Sequence, residues 1–247
     1  DETLYFVTND LDTNRTRSSL DSNPLGLEIQ HTIYGFNETN FLKDVIFKKY
    51  RIINKSKNVI EEMYLGRYID GSIGDITDDY TGCDTNLNLA YYWNKDNEDL
   101  LISHGYGTAP PALGHLSLQG PIVKGQKSDK AIFDDKIIKG YKNLPITSFA
   151  MYKNAANIYR VPDFGEGENG NEELYNNMLG NFWNGESFVD PNTGEDVDIQ
   201  LAGDPINDSG WYMGKGWGGI PQMASIASMF ASGPFDFSPG DTQEVVI

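Results

Sequence analysis

Residues 45–69, VIFKKYRIINKSKNVIEEMYLGRYI, set two runs of β-branched and aromatic residues on either side of a polar NKSKN segment. Such runs suit a pleated, half-buried surface, and the Asn-Lys-Ser-Lys-Asn break is turn chemistry. The pattern predicts a β-hairpin with strands at 45–56 and 59–69. The same texture fills most of the chain, because short apolar runs are punctuated throughout by Gly, Asn, Asp and Pro. Further strands are expected in LYFVTN (4–9), LGLEIQHTIYGF (25–36), LNLAYYW (87–93), HLSLQGPIV (115–123), ITSFAMYK (146–153), DVDIQLAG (196–203), SMFASGPFDF (228–237) and TQEVVI (242–247).

About ten strands with few helices point to an all-β fold, a β-sandwich or jelly roll with long loops. One helix is expected near 171–180. There Leu174 and Met178 lie four apart, Glu172 and Glu173 occupy the first turn, and Gly180 stands at the C-terminal cap. At 247 residues the chain is long enough for one large module spanning 1–247, or for two tightly packed β subdomains. The second arrangement would place a boundary near 155–170, where the glycine-rich GEGENG falls. The chain starts at Asp1 without methionine and stops inside TQEVVI, so a fragment of a longer polypeptide is expected.

A formal charge of −17 disfavours nucleic acid and anionic membrane surfaces, since both are bound through Lys and Arg. No apolar run is long enough to span a membrane. The partners left are cations, neutral glycans and basic protein surfaces. The single cysteine, Cys83, forbids an internal disulfide or a Cys-rich zinc site. Beside Asp84 it has no cationic neighbour to lower its pKa, so a buried structural thiol is expected.

Catalytic patterns are missing. GEGENG at 165–170 matches G-x-G-x-x-G, but YRVPDF precedes it where a buried parallel strand would be needed. There is no G-x-S-x-G, H-E-x-x-H or P-loop motif. His31, His104 and His115 sit in separate segments with no metal-ligand spacing. Carboxylates such as Glu28, Glu61 and Glu62 are abundant, yet no spacing singles out an acid–base pair. A non-enzyme is the expectation.

The densest chemistry lies in YIDGSIGDITDDYTGCD, residues 68–84, which hold Asp70, Asp75, Asp78, Asp79 and Asp84 with three glycines. Calcium takes six to eight oxygen ligands, and glycines let a loop curl until its oxygens converge. Either these five carboxylates form a calcium site in a loop between two strands, or they line a solvated acidic loop. An EF-hand is excluded, because Tyr80 and Asn86 stand where that loop needs Gly and Glu. DPNTGEDVD at 190–198 is a weaker candidate, with Asp190, Asn192, Asp196 and Asp198 as oxygen donors.

Several blocks, in order, carry a family likeness: GLEIQHTIYGF, FKKYRIINKS, MYLGRYIDGSIGDITDDYTGCDTNLNLAYYWN, LQGPIVKG, LYNNMLGNFWNGESFVDPNTGE, LAGDPINDSGWY and SGPFDFSPGDTQEVVI. Together they resemble a region of large secreted or surface-attached proteins of Bacteroidota and neighbouring lineages, which typically end in a type IX secretion sorting domain. The resemblance spans nearly the whole chain and is most specific over Asp70 to Asp84. It implies an extracellular or cell-surface location and β-sandwich modules, without a defined activity. The chain departs from the pattern at 214–230, where GKGWGGIPQMASIASMF replaces an expected basic GD-R segment.

Two functional classes remain open. One is a non-catalytic extracellular β-sandwich module, stabilised by calcium, with a structural, adhesive or filament-forming role. The other is a carbohydrate-binding module or glycan-processing domain. For it, Trp93, Trp183, Trp211 and Trp217 offer stacking platforms, best in SGWYMGKGWGG (209–219). Against it, aromatics commonly fill β cores.

Overall fold

The computed structural model describes residues 1–12, 22–100, 105–153, 158–163, 169–214 and 225–247. In chain order the strands are β1 (Glu2–Asn9), β2 (Leu27–Gly35), β3 (Ile46–Asn54), β4 (Ile60–Ile69), β5 (Asp79–Asp84), β6 (Leu89–Asn94), β7 (Glu98–Asp99), β8 (Gly107–Thr108) and β9 (Leu113–Leu116). They continue with β10 (Ile122–Lys124), β11 (Lys130–Phe133), β12 (Lys136–Lys139), β13 (Tyr141–Asn143), β14 (Ser148–Lys153), β15 (Phe188–Val189), β16 (Asp196–Val197), β17 (Ile226–Phe237) and β18 (Thr242–Val246). One α-helix, α1 (Gly170–Met178), stands between β14 and β15. The fold is all-β and sandwich-like, built from several antiparallel sheets.

The chain forms two compact units. One comprises Asp1–Tyr64, Ser117–Pro145 and Ser232–Ile247, the other Leu65–Leu116 and Ile146–Ala231. Residues 158–163 lie inside the second unit.

In the first unit a four-stranded sheet runs β1-β2-β3-β18. The expected hairpin at 45–69 does not form. β3 is flanked by β2 and β18, whereas β4 pairs with β17. The NKSKN turn exists, but the second edge of β3 is taken by β18, from Thr242↔Ile53 to Val246↔Lys49. Asn54 organises the departure. Its side chain accepts from the Ser56 N–H at 2.9 Å and donates to the Asn58 and Phe237 carbonyls at 3.0 and 2.8 Å. A turn that fits a hairpin fits equally well where a chain leaves one sheet for another.

A tight hairpin, β11–β12, turns at Asp134 and Asp135, both with left-handed backbone. Its tip bonds to the four-stranded sheet through Arg51–Asp134 at 3.0 Å and the Asp134 N–H to Glu244 at 3.2 Å. Glu244 is fully buried and pairs with Lys49 at 3.1 Å.

The second unit holds the larger core. β14 and the first half of β17 are buried on both faces, and they pair from Ser148↔Ala231 to Lys153↔Ile226. A strand covered on both sides reads as a continuous apolar run rather than an alternation, as SFAMYK and IASMFA do. Ala150, Tyr152, Phe188, Ala227 and Met229 form the centre, with Leu174 and Met178 of α1 packed against it. Thus the 171–180 helix is present, and it ends as expected before Gly180, whose φ is +86°. Glu173 fixes its first turn by a two-pronged pair with Arg160 at 2.6 and 3.0 Å.

The sheet that positions the acidic segment is β5-β6-β9. β5 and β6 form a hairpin in register from Asp84↔Leu89 to Asp79↔Asn94.

Candidate functional site

The acidic segment is only half a loop. Residues 70–78 are irregular, but Asp79–Asp84 is strand β5, almost wholly buried. This separates the five aspartates. Asp70 is exposed just past β4, and Asp84 closes the far end of β5. There Asp84 accepts from the Asn86 and Leu87 N–H groups at 2.9 and 3.0 Å and caps the hairpin turn. At about 3.4 Å per residue, Asp84 stands roughly 17 Å from Asp79.

Asp75, Asp78 and Asp79 stay together, and the fold adds two acidic residues that follow β6, Asp96 in the turn and Asp99 on β7. Burial, and then the neighbouring carboxylates of Asp75, Asp99 and Asp96, raise the pKa of Asp78. Burial acts most strongly on Asp79, followed by the charges of Asp78, Asp99 and Asp75, and pushes its pKa up to about 7.

Two glycines shape this curl. Gly71 lies flat on the Tyr92 ring, where a Cβ would fall 2.9 Å from the ring atoms. Gly74 has φ +57° and sits against the Asp99 carboxylate. Asp99, 1 % exposed, accepts from the Asp75 N–H at 2.8 Å and the Tyr106 N–H at 2.7 Å. Asp75 in turn accepts from the Thr77 N–H at 3.0 Å and hydroxyl at 2.7 Å.

Not every oxygen is served. Asp79 is 3 % exposed; one oxygen accepts from the Ile73 N–H at 2.8 Å, while Oδ1 is buried with no donor. Asn94, 6 % exposed and opposite Asp79, donates its amide N–H groups to the Asp96 and Glu98 carbonyls at 3.0 and 3.1 Å. Its Oδ1 is also buried without a donor, as is Oδ1 of Asp78. An orphaned buried acceptor costs about 1–3 kcal/mol, so three on one turn pair call for a ligand.

Among the described residues no three His, Cys, Asp or Glu side chains stand where they alone could hold a metal ion. The orphaned set is different, with two carboxylates and one amide. No protein-family model, no curated protein and no solved structure matches this chain.

Asn94 and Asp99 carry no sequence signal of their own. The register does. Counting outward residue for residue from the Asp84↔Leu89 turn places Asn94 opposite Asp79.

The other candidates are dispersed. DPNTGEDVD is the turn of the β15–β16 hairpin, where Asp190 caps the Asn192 N–H at 2.7 Å and Asp196 and Asp198 face solvent. Cys83 is fully buried, and burial followed by the Asp84 charge pushes its thiol up to about 12. His31 lies on β2 and His115 on β9, while His104, Trp217 and most of GEGENG lie outside the described residues. Trp211 is 5 % exposed, its ring packed inward and unable to present a sugar platform. Trp93 stacks on Tyr91 at 5.2 Å, and the Arg160 guanidinium covers Trp183 at 3.8 Å.

Proposed function

We propose that this chain is a non-catalytic β-sandwich module of a secreted or cell-surface protein, with an assembly or adhesive role. The observation that carries this reading is strand β1. It pairs with β2 through eight consecutive residues without a bulge and, among the described residues, forms one edge of its sheet. Leu4, Tyr5, Phe6 and Val7 are all exposed, so apolar side chains project from both faces. Edge strands are normally blunted by lysine, proline or bulges, because their unpaired N–H and C=O groups template another strand. ETLYFVTN contains none of these protections. The partner this edge suits is a strand of another copy of the chain. The extracellular setting draws support from the resemblance of the Asp70–Asp84 block and from the acidic composition.

Light scattering over a concentration series, with electron microscopy at the highest concentration, tests the assembly. Oligomers that dissolve in a Tyr5→Lys, Val7→Lys variant of native melting temperature support it. A monomer at every concentration overturns it.

A second reading has its own observation. A cleft of about 540 Å³ at the end of the same sheet is lined by Tyr34 and Phe36, with Asp1, Glu2, Asn37 and Lys43 around it. Tyr34 stacks on Phe47 at 5.1 Å, and Phe36 meets both rings edge-on. Exposed Phe36 beside half-buried Tyr34, flanked by hydrogen-bonding groups, suits a sugar ring. Binding on a glycan array that is lost in Phe36→Ala would favour this reading over self-assembly.

A further inference from the structure

Asp79 and Asn94 face each other across β5 and β6, each with a buried, unserved oxygen, and Asp78 supplies a third from the adjacent residue. All three are acceptors. No side-chain nitrogen of this turn pair is left buried and unpartnered among the described residues. The missing partner is therefore something that offers positive charge or protons and nothing else. A water molecule could donate to two of these oxygens, but it would bring no positive charge to the clustered carboxylates. Asp75, Asp96 and Asp99 deepen the negative field, and no ion pair with Lys or Arg relieves these residues among those described. A hard divalent cation meets both demands at once.

We propose that Asp78, Asp79 and Asn94 are ligands of a calcium-class cation, bound through their Oδ1 atoms. Oxygen-only donors, two carboxylates and an amide suit calcium, which completes its shell with backbone carbonyls and water. Soft metals would look for thiolate or imidazole, and Cys83 lies toward the opposite end of the strand. Asp99 is not a ligand. Both its oxygens are engaged by the N–H groups of Asp75 and Tyr106, so it holds the loop in place around the ion. Asp75 gives its Oδ1 to the Thr77 N–H and hydroxyl, and it is not among the residues with an orphaned buried oxygen. Asp70 and Asp84 lie outside the set. This site stands independently of the β1 edge and of the role proposed from it.

The experiment is a calcium chloride titration of chelator-stripped protein, followed by calorimetry and thermal melting, with magnesium chloride as comparison. Wild type is expected to bind one calcium and to melt several degrees higher when saturated, since a ligand of the native state stabilises it by mass action. Asp79→Asn is expected to lose at least tenfold in affinity while melting no lower than metal-free wild type. Asn94→Asp is expected to bind at least as tightly as wild type and to melt lower without metal. Asp84→Asn is expected to keep the calcium response. Wild type without bound calcium and without a thermal shift overturns the site. So does an undiminished response in Asp79→Asn, or a response lost only in Asp84→Asn.

Discussion

Asp79 and Asn94 are opposed in the β5–β6 ladder, and each keeps one buried side-chain oxygen that no donor reaches. In the metal-free protein this gives a pH signature. Asp79 has a folded pKa near 7, above its ordinary 3.8, chiefly because burial disfavours the carboxylate. The folded state then binds more protons than the unfolded state between those values. Asp79 therefore stabilises fully below about pH 4, and its contribution is lost as pH rises towards 7. The loss is on the order of a few kcal/mol. Urea midpoints of wild type minus Asp79→Asn, measured without metal from pH 4.5 to 8, should fall with rising pH. A flat difference would remove Asp79 from the buried acidic set.

The Gly74–Asp99 contact predicts a backbone effect. Gly74 combines φ +57° with a close approach to the Asp99 carboxylate, so Gly74→Ala must strain the turn and displace that carboxylate. The expected loss is more than about 1 kcal/mol by urea denaturation, since alanine is disfavoured at positive φ even without a clash. Amide exchange at Asp75 and Tyr106, whose N–H groups Asp99 accepts, should rise in the same variant.

Glu244 makes a separate prediction for the other unit. It is fully buried, paired to Lys49 at 3.1 Å and bonded by Gln119 at 3.1 Å. Lys49→Met leaves this carboxylate without its ion-pair partner and should cost about 3–5 kcal/mol. Lys49→Met with Glu244→Leu should recover most of that loss, because the buried charge goes with its partner. A double-mutant cycle by chemical denaturation measures the coupling, and strictly additive losses would place the stabilising role elsewhere.

The strand texture made the all-β class legible, and Leu174, Met178 and Gly180 made the helix legible, because each rests on local pattern. The hairpin at 45–69 misled, since NKSKN specifies a turn without specifying which strand pairs beyond it. TQEVVI, almost two hundred residues later in the chain, decided that pairing. The acidic segment shows the same limit. Composition exposed a concentration of charge, but strand β5 was hidden in DYTGCD by its two Asp and its Gly, residues of weak β preference. Only that strand removes Asp84 from the group and sets Asn94 against Asp79.

The exposed edge carries its own pH test. The His31 ring on β2 stacks on Phe6 at 4.3 Å, and its Nε2 bonds the Thr8 hydroxyl at 2.9 Å. Burial lowers the His31 pKa below its ordinary 6.5, so the folded state binds fewer protons than the unfolded state. The stabilisation is present above about pH 6.5 and is lost as pH falls through the folded value. A protonated ring must sit partly desolvated between Phe6 and Tyr50, which meets it edge-on at 5.3 Å. Amide exchange of residues 4–8 should therefore be less protected at pH 5 than at pH 7.5, after correction for intrinsic rates. His31→Phe, which keeps the stack and removes the titration, should abolish the difference. If β1 templates assembly, oligomers should weaken over the same pH range in wild type and not in His31→Phe.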